Sequence, residues 1–287
     1  MPKRSYLIAA LVIAFASVSA QWIQRDAPAQ PLLERLERGG TLVVGYALEP
    51  PFALIDDAGR VSGEAPEVLR HVAAQIGPGT LEFVHADFGS LIHELEAGRV
   101  DVIAAGMFIT PERAQRVLFS RPTVGVCPAL LLAAGNPHGL DSLSDFARQP
   151  SLRLGVISGA VEVELAQAAG VPDAQVVSFP DAVSAQAAVS SNRVDGFVLS
   201  AVSLRHMLQK APDGGAELVM LRSGDGDPLT AGQPAFVFRK QDRSLRDAVD
   251  TVLDRFIGSD AHLALISPFG ITTGELPVGG AAGVCAP

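Results

Sequence analysis

The residues best suited to chemistry lie in the stretch from Phe88 to Pro122, where ring faces and one arginine surround the end of a single strand. The buried run 100–105 predicts that strand, and Phe108 follows it just before a helix that carries Arg113 in its first turn. A phenyl face attracts a cation, and a guanidinium fork can hold a carboxylate through two N–H groups. Because ligands of open α/β sheets bind beyond the carboxyl ends of strands, this spacing predicts a clamp for a small molecule.

Other candidate residues follow the ends of neighbouring predicted strands. Phe52 and Phe88 occupy such positions, as Phe108 does, and three ring faces around one cation would contribute roughly 0.5–2 kcal/mol each. Glu49, in the first strand-to-helix loop, can accept a hydrogen bond from a ligand N–H. Simpler interpretations stay open, since each phenylalanine could fill the core and Glu49 could be a solvated loop acid.

The anion half of the predicted site rests on Arg113 and on the helix end that carries it. Thr110 is typical of a helix N-cap, and a helix N-terminus favours negative charge. Backbone groups at Gly106 and Thr110 would complete an anion site. The alternative is a surface ion pair between Arg113 and Glu112 or Glu67.

Composition and charge exclude several classes of function. The chain has 287 residues, is 48% hydrophobic and contains 28 glycines, which is typical of a globular protein with a sizeable core. Its formal net charge of −9 argues against nucleic acid as a partner. The six histidines are scattered, and no HExxH, CxxC, GxSxG, Walker A or GxGxxG motif occurs. We therefore expect no metal, no cofactor and no catalytic residues of those enzyme classes.

The first twenty residues predict a secretory signal peptide. Lys3 and Arg4 precede an apolar run over 7–16, and small residues at 18–20 mark a cleavage site. Cleavage would leave 20 basic and 31 acidic residues, a net charge of −11. The run is short for a membrane span and no cysteine follows the cleavage site, so we expect an exported, soluble protein without a lipid anchor. An uncleaved N-terminal anchor is the alternative.

Cys127 and Cys285 are the two cysteines of the chain. Cys285 lies in a Gly/Ala-rich tail that the composition predicts to be disordered, where a thiol is poorly positioned for pairing. A disulfide between them is possible in an oxidising compartment. The sequence leaves this pairing open.

The hydrophobic pattern predicts two successive α/β series that would position these residues. Strands and helices alternate from 41 to 115 and again from 142 to 221, with a return strand at 235–239. The segments 97–103 and 191–197 resemble one another, each being a helix end that feeds a buried strand. Two similar lobes joined by two crossing strands imply a hinge and a cleft, whereas a single doubly wound sheet is the alternative.

The predicted organisation assigns every part of the chain. It comprises a signal peptide (1–20), a linker with a short helix (21–40), lobe 1 (41–128 and 223–274), lobe 2 (129–222) and a disordered tail (275–287).

The order of elements from 41 to 270 resembles the periplasmic solute-binding proteins of ABC importers, in the polar amino acid family with a two-crossover, type II hinge. Three strings, at 63–67, 88–92 and 104–113, are similar to ectoine/hydroxyectoine-binding proteins. The resemblance implies a monomer in the periplasm that is not an enzyme. It would deliver a compatible solute, ectoine or 5-hydroxyectoine, to an ABC permease in the inner membrane.

The resemblance also implies roles for the candidate residues. Phe52, Phe88 and Phe108 match the aromatic box around the delocalised ring cation of ectoine, and Arg113 matches the residue that holds its carboxylate. On closure, second-lobe groups near Ser158 and Ser200 would touch the solute.

Two positions depart from the amino acid binders of this family. Those proteins usually place an aspartate after the second-lobe strand to meet an α-ammonium, and this chain has Ser200 there, so a localised ammonium would lack its counter-charge. In the loop 158–161, Ala160 and Val161 stand where a threonine hydroxyl often meets the carboxylate. The first departure favours a delocalised or methylated cation.

Other functions remain open at this point. The same fold could bind a polar amino acid or a betaine, or could serve as a sensor partner of a membrane receptor. Periplasmic cyclohexadienyl dehydratases share the fold and need only a positioned acid, a role for which Glu49 or Glu64 is available.

Overall fold

The computed structural model describes residues 30–210, 215–222, 232–277 and 285. The predicted signal peptide and most of the predicted linker and disordered tail lie outside these residues. Within the described ranges, no helix has both the length and the apolar composition that crossing a bilayer requires.

Strands and helices alternate along the chain, as the hydrophobic pattern predicts. The strands are β1 (Thr41–Tyr46), β2 (Leu54–Ile55), β3 (Val61–Ser62), β4 (Thr80–His85), β5 (Val102–Ile103), β6 (Leu118–Pro122), β7 (Pro128–Ala133), β8 (Leu154–Ile157), β9 (Val176–Phe179), β10 (Gly196–Ser200), β11 (Ala216–Met220) and β12 (Ala235–Phe238). The helices are α1 (Leu32–Glu37), α2 (Glu64–Ile76), α3 (Leu91–Glu96), α4 (Pro111–Arg116), α5 (Leu143–Arg148), α6 (Val161–Ala168), α7 (Ala182–Ser190), α8 (Ala201–Lys210), α9 (Arg243–Phe256) and α10 (Asp260–Ile266).

The strands form two five-stranded sheets, which are the centres of two lobes. In the first sheet the order is β4-β1-β5-β12-β6, with β1 parallel to β4 and β5 and with β12 antiparallel to both neighbours. In the second it is β11-β7-β10-β8-β9, with β7 antiparallel to β10 and β11. The chain crosses between the sheets twice, and the crossing segments pair at Val126 and Gly232. The predicted two-lobe, type II fold is confirmed, and the single doubly wound sheet is wrong.

The two similar sequence segments have the same structure in both lobes. The Asp101 carboxylate accepts the Val43 N–H at 3.0 Å, while the Asp101 N–H donates to the Val43 carbonyl at 2.7 Å. Asp195 makes the same pair of bonds with Arg153, at 2.7 and 2.9 Å. Each aspartate therefore fixes the start of the strand that leads towards the cleft.

The sequence pattern missed three short strands. Strand β6 pairs with β12 at the edge of the first sheet, and its run Leu118–Pro122 ends in Arg121 and Pro122, which are typical of an edge rather than of a buried strand. The hairpin of β2 and β3 has two residues in each strand, too few to show a period.

Apolar contacts continue from one lobe into the other. One buried cluster contains Phe88, Leu91 and Ile103 of lobe 1 together with Leu131 and Phe197 of lobe 2. A second cluster fills lobe 1 behind the first sheet, and a third fills lobe 2. The lobes are therefore in direct contact around the cleft.

Cys127 and Cys285 form a disulfide that links the crossing segment to the C-terminal region. The Cα atoms are 5.7 Å apart, and Cys285 is 6% exposed although its neighbours in sequence lie outside the described residues. The pairing that the sequence leaves open is thus present.

We expect the disulfide to stabilise the fold, because it closes a loop over 158 residues of sequence separation. The double variant Cys127→Ser/Cys285→Ser should lose roughly 2–5 kcal/mol of unfolding free energy. Urea unfolding of the variant and of the oxidised and reduced wild-type protein measures this. The reduced wild type should match the variant, and equal midpoints for all three would contradict the prediction.

A second stability prediction concerns Glu64, the first residue of α2. It is fully buried, and neither carboxyl oxygen has a hydrogen-bond partner within normal limits. Burial raises the pKa of Glu64 to about 7, against a smaller opposing effect of the Thr123 hydroxyl. The folded state therefore binds this proton more tightly than the unfolded state, and stability falls as pH rises from about 4.5 to 7.

Replacing Glu64 with the neutral isostere Gln should remove that loss. Glu64→Gln should exceed the wild-type unfolding free energy by about 2–3 kcal/mol at pH 8 and by much less at pH 5. Chemical denaturation at both pH values tests this, with the exposed Glu37→Gln of α1 as control. A gain at pH 8 no larger than that of the control would refute the assignment.

Candidate functional site

A narrow cavity lies between the lobes, beyond the carboxyl ends of strands from both sheets. Its free volume is about 10 Å³, roughly the room for one water molecule, so a solute enters only when the lobes move apart. Both lobes supply its walls, and the lining residues are Glu49, Phe88, Gly106, Phe108, Arg113, Ala160, Val161 and Glu162.

Arg113 connects the two lobes across this cavity. Its Nη1 donates to the Phe108 carbonyl at 2.8 Å and its Nη2 donates to the Gly159 carbonyl of lobe 2 at 2.9 Å. Thr110 caps α4, with its hydroxyl oxygen accepting the Arg113 N–H at 3.2 Å. Burial lowers the pKa of Arg113, while nearby carboxylates, Glu164 foremost, oppose that shift. Arg113 is 8% exposed, so it is a buried cleft group and not a surface residue.

Two of the three candidate phenylalanines line the cavity. Phe88 is buried, and the centre of its ring lies 5.8 Å from the Arg113 guanidinium carbon. Phe108 is half-buried and packs on Gly232, where an added Cβ would come within 2.1 Å of the ring. The structure therefore places the Phe88 ring beside the guanidinium, and Phe108 lines the same cavity.

Phe52 lies elsewhere, in the core of lobe 1. It is fully buried in the cluster behind the first sheet. Its ring packs against Gly106, where φ is +66° and an added Cβ would lie 2.6 Å from the Phe52 Cγ. Phe52 thus supports the Gly106 backbone from the core side and does not line the cavity. Phe52 therefore fills the core, which is the simpler of the two interpretations that the sequence left open.

Glu49 reaches lobe 2 through a chain of hydroxyl groups. Its Oε1 accepts a hydrogen bond from the Ser203 hydroxyl at 3.0 Å, and Ser203 in turn accepts one from the Ser200 hydroxyl at 2.9 Å. Burial and the charge of Glu162 raise the pKa of Glu49 to about 8, and the bond from Ser203 lowers it in part. Glu49 is therefore an interlobe group, and Ser200 acts through Ser203 without lining the cavity.

Glu162, which our sequence analysis did not single out, is the second acid of the cavity. It lies in the first turn of α6, directly after the loop at Ser158 and Gly159, and is 3% exposed. Burial raises its pKa to about 7, whereas its own backbone N–H and the charge of Arg113 lower it. The available signal was an acid at a helix start directly after a second-lobe strand. That signal does not separate a buried acid from a solvated one, because the apolar and acidic residues of 161–164 alternate and mark no single helix face.

The remaining candidates lie near the cavity without lining it. Ser158 is exposed, and its backbone carbonyl lies against Gly89 of lobe 1. An added Cβ at Gly159 would lie 2.6 Å from the Gly89 Cα, so the two glycines let the backbones of the lobes approach closely there. Glu64 is at the N-terminus of α2 near Thr123, away from the cavity.

A wider groove of about 620 Å³ adjoins the cavity and shares Glu49 and Phe88 with it. Its walls come from both lobes, and it contains three exposed apolar side chains, Leu48, Ile55 and Val183. The groove therefore lies beside the cavity, along the boundary between the lobes.

The chain has well-matched relatives among known proteins. It is 29% identical over 92% of its length to a probable amino-acid ABC transporter periplasmic-binding protein of Sinorhizobium fredii, of which it covers 88%. The crystal structure of EhuB in complex with hydroxyectoine matches with a TM-score of 0.77 and 34% identity, covering 84% of this chain and 92% of that one.

A further solved structure is that of the ancestral amino acid-binding protein AncCDT-1, a precursor of cyclohexadienyl dehydratase. It matches with a TM-score of 0.72 and 26% identity, over 82% of this chain and 97% of that one. The family model for bacterial extracellular solute-binding proteins, family 3, matches residues 42–267. This match agrees with the two-lobed architecture and with the buried guanidinium that bridges the cleft. The chain therefore belongs to family 3 of the bacterial extracellular solute-binding proteins.

Proposed function

We propose that this protein is the extracytoplasmic binding component of an ABC importer and that it closes around ectoine or 5-hydroxyectoine. The observation that carries the proposal is the buried Arg113, which lies over the ring of Phe88 in a cavity that both lobes build and that Phe108 also lines. A solute carboxylate would replace one or both of the backbone carbonyls that accept hydrogen bonds from Nη1 and Nη2 of Arg113. The delocalised ring cation would then stack between the phenyl faces, with Glu49 accepting a ring N–H.

The resemblance of the strings at 63–67, 88–92 and 104–113 to ectoine binders supports the same solute. So does the similarity to EhuB, whose structure was determined with hydroxyectoine. Since Phe52 lies in the core, the aromatic part of the proposed site comprises Phe88 and Phe108.

A polar amino acid is the second candidate, and Glu162 favours it. The sequence argument against a localised ammonium rested on the lack of an acid at Ser200, but Glu162 supplies a buried carboxyl group from the same lobe. The Sinorhizobium fredii relative is described as a probable amino-acid binder. Titration calorimetry with ectoine, hydroxyectoine, glycine betaine and a panel of polar amino acids distinguishes the two candidates.

The proposal extends to location and partners. We propose that the signal peptide over 1–20 exports the chain to the periplasm, where the monomer delivers its solute to a permease of the inner membrane. The two lobes then correspond to residues 41–128 with 223–274 and to residues 129–222.

The role of Arg113 is testable by substitution. Arg113→Ala should weaken binding of the cognate zwitterion by about tenfold or more, because a buried charge-assisted bond to the carboxylate is lost. Calorimetry at pH 8 measures this. Arg116→Ala on the same helix is the matched control, since Arg116 is exposed and pairs with Glu96 outside the cavity. Equal affinity for Arg113→Ala and the control would reject the carboxylate assignment.

Closure itself can be tested at the glycine contact. At Gly159 φ is +74°, and an added Cβ would meet Gly89 of the other lobe, so Gly159→Ala should hold the lobes apart and weaken binding about tenfold, or ~1.4 kcal/mol. Gly170→Ala controls for backbone strain, because Gly170 has φ of +79° in the same lobe and open space around it. Similar affinities for the two variants would show that the interlobe contact does not limit closure.

A further inference from the structure

Two carboxyl groups from opposite lobes face the same small cavity. Glu49 comes from the loop after β1 in lobe 1, and Glu162 comes from the first turn of α6 in lobe 2. Both line that cavity, and the charge of Glu162 adds to burial in raising the pKa of Glu49. Opening of the cleft would separate them, because they belong to different lobes.

Arg113 does not neutralise this pair by direct contact. Its Nη1 and Nη2 both bind backbone carbonyls, and among the described residues no ion pair within 4 Å joins Glu49 or Glu162 to a base. With both acids ionised, the cavity lining carries two negative charges and one positive charge. Like charges brought together away from water repel one another, so closure is unfavourable until a proton or a positive group of the solute neutralises one of the acids.

We propose that Glu49 and Glu162 form a shared cation subsite that is completed only when the lobes close, so that the positive group of the solute selects the closed form. This inference deepens the proposed function and rests on it for the statement that the solute enters this cavity. It assigns to Glu162 a specificity role in which anionic or uncharged solutes fail to close the protein. Phe88 and Phe108 supply the ring faces beside the same cation.

Protons compete with the solute for this subsite. The pKa of Glu49 is raised to about 8 and that of Glu162 to about 7, mainly by burial, so at pH 6 a solute cation must displace protons from the closed form. Affinity should therefore rise from pH 6 to 8 and level off above that range. The other charged or titratable groups that line the cavity and its groove are Arg113, His85, Asp87 and Asp181, while Glu112 and Glu164 lie outside and act through their charge on Arg113.

The first experiment is calorimetry of ectoine and the polar amino acid panel on the full mature protein at pH 6, 7, 8 and 9, in buffers of different ionisation enthalpy. We expect release of about one proton per solute at pH 7 and a tenfold weaker affinity at pH 6 than at pH 8. Glu162→Gln should lose about tenfold in affinity at pH 8 and most of the proton release, and Glu49→Gln should behave similarly.

Two control variants separate the subsite from other causes. Glu164→Gln changes an exposed acid on the same helix, so a loss equal to that of Glu162→Gln would show a general field effect and overturn the proposal. His85→Gln tests the titratable group of the adjoining groove. If His85→Gln removed the pH dependence while Glu162→Gln kept it, the proposal would fail.

The outcomes also separate this inference from the proposed function. Binding of ectoine that is unchanged in Glu162→Gln would overturn the subsite and leave the importer proposal intact. Binding of an amino acid in place of ectoine, lost in Glu162→Gln, would support the subsite and reject the ectoine assignment.

If no solute of the panel binds, small-angle scattering of the protein alone decides. The wild type should be more compact at pH 5 than at pH 8, and Glu162→Gln should remove that difference. A wild-type radius of gyration independent of pH would reject the subsite.

Discussion

The cleft of this protein depends on how one buried guanidinium is held. Arg113 donates to a carbonyl of its own lobe and to a carbonyl of the opposite lobe, and it lies where water is largely excluded. An uncompensated buried charge is costly, so the surrounding backbone must present oxygen atoms to it. Thr110 holds the backbone of Arg113 as the N-cap of its helix, and the Phe88 ring packs on the guanidinium, so both position this charge.

Contact between the lobes is made by few groups of different kinds. Gly89 and Gly159 allow the backbones to touch, and Ser203 bridges to Glu49. Around them, apolar side chains of both lobes form a continuous buried cluster. The apolar contacts favour closure without regard to the solute, whereas the acids at Glu49 and Glu162 make closure depend on charge. Affinity and selectivity are therefore set by different parts of the interface.

The C-terminal region ties the hinge to both lobes. Cys285 is bonded to Cys127 in one crossing segment, and the Glu275 carbonyl accepts the Gly125 N–H of that segment at 2.8 Å. The Glu275 carboxylate pairs with Arg205 on α8 of lobe 2. A chain end attached to lobe 1, the crossing segment and lobe 2 restricts how far the crossing strands can bend.

The sequence by itself determined the two α/β lobes, the capped helix at Thr110 and the place of Arg113, because these follow from local periodicity and strand-end rules. Tertiary structure alone decided that Phe52 belongs to the core and that Glu162 faces Glu49. It also decided that Cys285 is paired and that β6 joins the first sheet. These features depend on which surfaces meet after the chain crosses twice between the lobes, and residue spacing carries no information on contacts between segments so far apart in the sequence.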